Sequence, residues 1–184
     1  ADLLMTFYNL GEAETTRIIE GMGYELPEDY VRKNFDYYIQ RTSHGSTLSR
    51  LVHARLAFKL GFNEVAMTLY IESLESDLND IQGGTTGEGI HCGVMAGTIY
   101  DTLVAFAGLD LSDAEPVIKS NLPEHWVALE FKLGFRGDQF HFIVAREEVI
   151  INISDSEKNK IKLHICGNEV ELETGKVFKV ICKN

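Results

Sequence analysis

The feature that most constrains this 184-residue chain is a change of hydrophobic period near Leu122-Pro123. Before that point apolar residues recur at three- and four-residue spacing, and after it they alternate. Tyr30, Val31, Phe35, Tyr38 and Ile39 mark one face of a helix, with Pro27 suited to its first turn. A second helix is predicted from Thr47 to Leu60, stopping at Gly61. A third is capped by Asn63 and carries Val65, Ala66, Leu69, Tyr70 and Leu74. The fourth, from about Gly89 to Phe106, is so apolar that it reads as an interior helix. Asp2 to Leu10 reads as a helix already under way, ending at Gly11.

From Leu129 onward the pattern is that of strands: Leu129, Phe131, Leu133 and Phe135 face one way, Glu130, Lys132 and Gly134 the other. Further strands fall at 139–144, 149–153, 160–165, 169–172 and 176–181. Turn clusters such as Arg136-Gly137-Asp138 and Gly167-Asn168 separate them. Helices followed by strands, without β-α-β alternation, define an α+β multidomain chain and exclude a doubly wound nucleotide fold. The expected domains are 1–122, helical, and 123–184, a small two-layered antiparallel sheet domain resembling a sandwich.

Charge follows the same division. Residues 1–125 hold 8 basic and 19 acidic side chains, the remainder 9 of each, for a net charge of -11. An acidic chain without Lys/Arg blocks is not expected to bind nucleic acid. Neither a run of 18 apolar residues nor a basic leader pattern is present, so no membrane partner is expected. Cys92, Cys166 and Cys182 are odd in number and form no CxxC pair, which reads as reduced, buried thiols in a cytoplasmic protein.

Two glycine- and hydroxyl-rich stretches precede helices, and each contains a histidine: His44-Gly45-Ser46-Thr47-Leu48-Ser49 and Gly83-Gly84-Thr85-Thr86-Gly87-Glu88-Gly89-Ile90-His91. Helix N-termini present unpaired amides and a positive dipole end, so both stretches read as oxyanion cradles. The competing reading is that Ser46 and Thr86 only cap helices. His44 and His53 read as turn and helix-surface residues, and Asp77 with Asp80 as an acid pair or an acidic helix end. No histidine spacing fits a metal, and no metal or other cofactor is expected.

These strings also resemble glycoside hydrolase family 65. Asp36-Tyr37-Tyr38, Arg41 to Ser49 and His53-Ala54 are similar to one family motif. Asp77-Leu78-Asn79-Asp80 and Thr86 to His91, with Gly93, Met95, Ala96, Gly97 and Thr98, are similar to another. The resemblance implies the second half of an (α/α)6 barrel followed by the C-terminal β domain. It further implies an inverting phosphorylase that cleaves an α-linked glucose disaccharide with inorganic phosphate to β-glucose 1-phosphate. Ser46, Thr47 and His91 fall on positions of the phosphate pocket, and Glu88 is placed at the sugar. Family hydrolases carry a carboxylate base where His91 stands. Phosphate arrives already nucleophilic and needs holding, not deprotonating. The catalytic acid, a glutamate, and a Lys-Gln pair that helps hold phosphate are expected upstream of Ala1, in an N-terminal partner portion, so the 184-residue chain alone is expected to be inactive. A family hydrolase and a non-catalytic carbohydrate-binding or structural module are the alternatives. Dimers are common in the family.

Overall fold

The computed structural model describes residues 2–182, which divide into two compact units, 2–100 and 101–182. An α-helical region is followed by two small β-sheets, so the α+β expectation holds. Among the described residues no helix is long and apolar enough to cross a membrane.

The first unit contains α1 (Asp2–Gly21), α2 (Tyr30–Ile39), α3 (Thr47–Lys59), α4 (Asn63–Glu75) and most of α5 (Cys92–Asp101). Gly11 does break α1, with φ 75° and ψ 173°, but the helix resumes and runs to Gly21. The resumption is locally encoded, because Thr15 Oγ1 and Thr16 Oγ1 donate to the carbonyls of Gly11 and Glu12 and Arg17 pairs with Glu14. Asn63 is the first helical residue of α4 and does not cap it; Phe62 holds the cap position.

The interior helix is α3, not the predicted segment from Gly89 to Phe106. Leu51, Val52, Ala54, Leu56 and Ala57 of α3 are all buried. Val52, Leu56 and Ala57 pack with Leu4 and Phe7 of α1, Tyr30, Val31 and Phe35 of α2, and Ala66 of α4. The predicted fourth helix starts at Cys92 and passes into a π-helical turn at Thr102–Phe106. Its apolar character does not translate into burial all round: Val94 and Phe106 are buried, but Ile99 is 67% exposed.

The second unit is a two-layered sandwich. One sheet has the order β1 (Leu109–Asp110), β2 (Val117–Ile118), β6 (Lys160–Ile165), β7 (Asn168–Glu173). The other has the order β3 (Ala128–Phe135), β4 (Asp138–Ala145), β5 (Glu148–Asp155), β8 (Val177–Ile181). The second sheet is antiparallel throughout, whereas the first is mixed, because β2 runs parallel to β6. Ile118, Phe142, Ile151, Leu163 and Ile165 join both sheets in one core, each at 0% exposure. The hairpin β3–β4 turns on Arg136 (φ 51°) and Gly137 (φ 88°), and β6–β7 on Cys166 (φ 49°) and Gly167 (φ 80°). Two successive positive φ values match the right-handed twist of the flanking strands.

Strand structure begins at Leu109, ahead of the expected boundary at 122/123. A two-residue strand is too short to display alternation, and the pair β1–β2 joins its sheet only through the distant β6. Gly108, at φ 64°, lies where the chain enters β1, its carbonyl accepting the Lys119 amide at 3.1 Å.

The cysteines correct the expectation of three reduced, buried thiols. Cys166 and Cys182 form a disulfide with Cα atoms 5.3 Å apart, and Cys92 is free and exposed. The bond joins the β6–β7 turn of one sheet to the segment after β8 of the other. Thiol titration is expected to find Cys92 alone before reduction and all three cysteines afterwards. Opening this loop of 16-residue separation is expected to cost the sandwich roughly 2–3 kcal/mol, seen as a lower urea midpoint under reductant.

Candidate functional site

Every candidate residue lies in the first unit. Ser46 takes the N-cap backbone position of α3, at φ -98° and ψ 138°, but its hydroxyl makes no capping bond. The hydroxyl is therefore not consumed by the role that would have explained it structurally. Thr47, the first residue of α3, is 8% exposed.

The loop before them is held from behind. His44 sits in the left-handed region at φ 52°. Its Nδ1 lies 3.0 Å from Ser49 Oγ, and its carbonyl accepts Arg50 Nη1 at 2.8 Å. Arg50 Nε is fixed in turn by Glu72 Oε2 at 2.7 Å. The His53 ring meets the His44 ring edge-on at 4.7 Å. His53 is fully buried, which corrects its reading as a helix-surface residue. Its Nδ1 lies 2.7 Å from the Ser49 carbonyl, an acceptor, so that nitrogen carries the proton and donates. The remaining nitrogen, Nε2, is buried without a hydrogen-bond partner among the described residues.

Burial, with His53 and Arg50 nearby, pushes His44 down to about 4. In the unfolded chain it takes its proton near the ordinary 6.5. The folded state therefore loses stability as pH falls from about 6.5 to about 4, and the full contribution is present above that window. Melting temperatures measured across this range should fall less steeply for His44→Asn, since asparagine tolerates the left-handed backbone and does not titrate.

The second loop departs from its expected role as an amide cradle. Asp80 Oδ1 and Oδ2 accept the Gly84 amide at 2.7 and 2.8 Å, and Oδ1 accepts the Thr85 amide at 3.0 Å and the Thr86 amide at 3.3 Å. Thr86 Oγ1 adds a bond of 3.2 Å to the same carboxylate. These amides hold the Asp80 carboxyl below its ordinary range, the Gly84 contribution being largest. The loop is thus closed on an anion of its own. The positive φ of Gly83 (77°) and Gly84 (116°) is what lets the backbone wrap around it.

Asp77, in the turn after α4, does for His91 what Asp80 does for the loop. Its Oδ2 accepts the His91 amide at 2.7 Å, and its Oδ1 lies 2.6 Å from His91 Nδ1. Glu88, in a single 3-10 turn at Thr86–Glu88, places Oε2 3.5 Å from His91 Nε2. The structure therefore brings Glu88 and His91 together, whereas Ser46 and Thr47 make no hydrogen bond to His91 among the described residues. Sequence reasoning passed over Asp77 and Asp80 as binding groups. Their signal was an aspartate at each end of a short turn just before a glycine-rich loop, where carboxylates commonly bind nearby amides. Among the described residues no group of three or more His, Cys, Asp or Glu side chains is arranged to hold a metal ion.

A helical region bearing hydroxyl and histidine loops, followed by a small sandwich, matches known carbohydrate-active proteins along nearly its whole length. Residues 1–100 match the glycosyl hydrolase family 65 central catalytic domain, and residues 111–172 match the C-terminal domain of the same family. The chain belongs to glycosyl hydrolase family 65. It is 39% identical over 175 residues to a trehalose 6-phosphate phosphorylase of Lactococcus lactis, covering 95% of this chain and 22% of that protein. It is 33% identical over 163 residues to a kojibiose phosphorylase of Caldanaerobacter subterraneus, covering 88% of this chain and 21% of that one. A solved structure, that of a putative kojibiose phosphorylase from human microbiome, shares the fold with a TM-score of 0.68 at 24% identity, over 91% of this chain and 23% of its own. The chain thus spans about a fifth of the length of these relatives.

Proposed function

We propose that this chain forms the phosphate side of the active site in a glycoside phosphorylase. The full-length protein cleaves an α-linked glucose disaccharide with inorganic phosphate, inverting the anomeric centre to give β-glucose 1-phosphate. The observation that carries this reading is His91, which donates two hydrogen bonds to Asp77 and whose Nε2 faces only the exposed Glu88 among the described residues. A fixed imidazole serves as a donor to an anion. In a hydrolase of the same family a carboxylate base would stand there to activate water.

Ser46 and Thr47 supply the hydroxyl donors, and phosphate is a co-substrate that needs no metal. Glu88 is assigned to the sugar. The catalytic acid is assigned to the part of the relatives' length that this chain does not span, so the 184 residues alone are expected to be inactive. The names of the relatives nominate the substrates to try, trehalose 6-phosphate among them.

The test is release of glucose 1-phosphate by the full-length protein from trehalose, trehalose 6-phosphate, maltose, kojibiose and nigerose, with and without phosphate. Phosphate-dependent release is expected from at least one of them. Glucose formed at the same rate without phosphate would make the protein a hydrolase and end this reading.

A further inference from the structure

We propose that Asp77 is a positioning residue that presents His91 Nε2 as a fixed donor to a phosphate oxygen; the inference rests on the reading of His91 as a phosphate ligand. Each oxygen of one carboxylate binds a different part of one residue: Oδ2 the backbone N–H at 2.7 Å, Oδ1 the ring Nδ1 at 2.6 Å. Together they fix both the backbone and the ring of His91. The Asp77 side chain is 8% exposed and that of His91 24%, so the carboxylate is the better shielded partner of the pair.

An ionised carboxylate only accepts, so with Asp77 charged Nδ1 carries a proton whether the ring is neutral or cationic. Nε2 is then the nitrogen whose proton comes and goes. With the ring neutral, Nε2 presents a lone pair, which repels a phosphate dianion. With the ring protonated, it presents an N–H on a cation, a short and strong donor to the same oxygen.

Two charged groups act on this ring among the described residues: Asp77, from the turn after α4, and Glu88, from the 3-10 turn before α5. Both hold the imidazole proton more tightly, Asp77 the more strongly, while desolvation works against them. Phosphate binding should consequently weaken as pH rises through the elevated His91 value, and removing the Asp77 charge should move that weakening to lower pH.

The experiment compares full-length wild type with Asp77→Asn, measuring the KM for phosphate and for the disaccharide between about pH 5.5 and 8.5, with melting temperatures alongside. The expected result is a phosphate KM raised roughly tenfold or more near neutrality. The disaccharide KM should stay within about twofold, and the rise of phosphate KM with pH should begin at lower pH. In a His91→Ala background the same substitution should add nothing to the phosphate KM.

An unchanged phosphate KM and pH profile would overturn the proposal. So would an equal loss in both KM values and in melting temperature, the mark of a purely structural residue. If Asp77→Asn does not fold, Asp77→Glu decides: a raised phosphate KM with the wild-type pH profile supports the role, and equal changes in both KM values refute it. Failure of the phosphorylase reading looks different, because it appears in the wild type itself as cleavage indifferent to phosphate.

Discussion

Replacing Gly108 with alanine is expected to destabilise the sandwich unit by about 3–5 kcal/mol, among the largest effects of any single methyl group in this chain. A Cβ at this position would lie 1.8 Å from the Lys119 carbonyl oxygen and 2.6 Å from its carbonyl carbon. Both are backbone atoms, so no side-chain rotation relieves the overlap. The residue also sits at φ 64°, which adds the usual left-handed penalty for a non-glycine residue. Relief would require separating the strand entry at Leu109 from β2, and Leu109 and Ile118 belong to the shared core. Gly137 is the control. It has φ 88° but nothing within 4 Å of its would-be Cβ, so Gly137→Asn should cost no more than about 1 kcal/mol. Chemical denaturation of both variants separates steric overlap from conformational preference. Equal, small losses would mean that the Lys119 backbone yields.

The second large effect is on activity. In the full-length protein, His91→Ala is expected to reduce phosphorolysis by about 10²–10³-fold, the scale on which removal of one preorganised donor is felt. His91→Glu is the more informative change. It places a carboxylate where a family hydrolase keeps its base, so phosphate-dependent cleavage should fall and phosphate-independent glucose release should rise. The new carboxylate would also face Asp77 and Glu88, which raises its proton affinity and should move any hydrolytic optimum upward in pH. Glucose 1-phosphate and glucose assayed side by side give both quantities. A His91→Glu variant that retained full phosphorolysis would remove His91 from the phosphate pocket.

How far the sequence could be read depended on how local each feature is. The helices at 30–39 and 47–59 and the hairpins on Arg136-Gly137 and Cys166-Gly167 are written in side-chain spacing and turn chemistry, which act over a few residues. Burial is different. Ile99 and Val52 look alike in a sequence, yet one is 67% exposed and the other 1%, because burial depends on which helix the others enclose. The burial of His53 escapes a sequence reading for the same reason: an imidazole fits inside a helical core when one backbone carbonyl, here that of Ser49, accepts its N–H. The Cys166–Cys182 bond joins residues brought together only by sheet-on-sheet packing. At the candidate site, the family motif marked His91 and Glu88. The roles of Asp77 and Asp80 emerged only from geometry, since an aspartate ahead of a glycine-rich loop has the same sequence appearance whether it faces water or binds the loop.

The closure of the Gly84–Thr86 amides on Asp80 bears on how this protein would respond to its surroundings. Backbone amides do not titrate, so a pocket built from them grips an anion equally in acid and in base. Here those amides are already committed, and a ligand arriving at the second loop must be held by side chains, whose charge varies with the medium. An imidazole in that role makes affinity a reporter of proton concentration. If His91 holds phosphate, acidification would tighten that grip at the moment when dianionic phosphate becomes scarcer, and the two trends oppose each other. Over that interval occupancy would vary less than either trend alone would dictate, a buffering that a pocket of free amides would not provide.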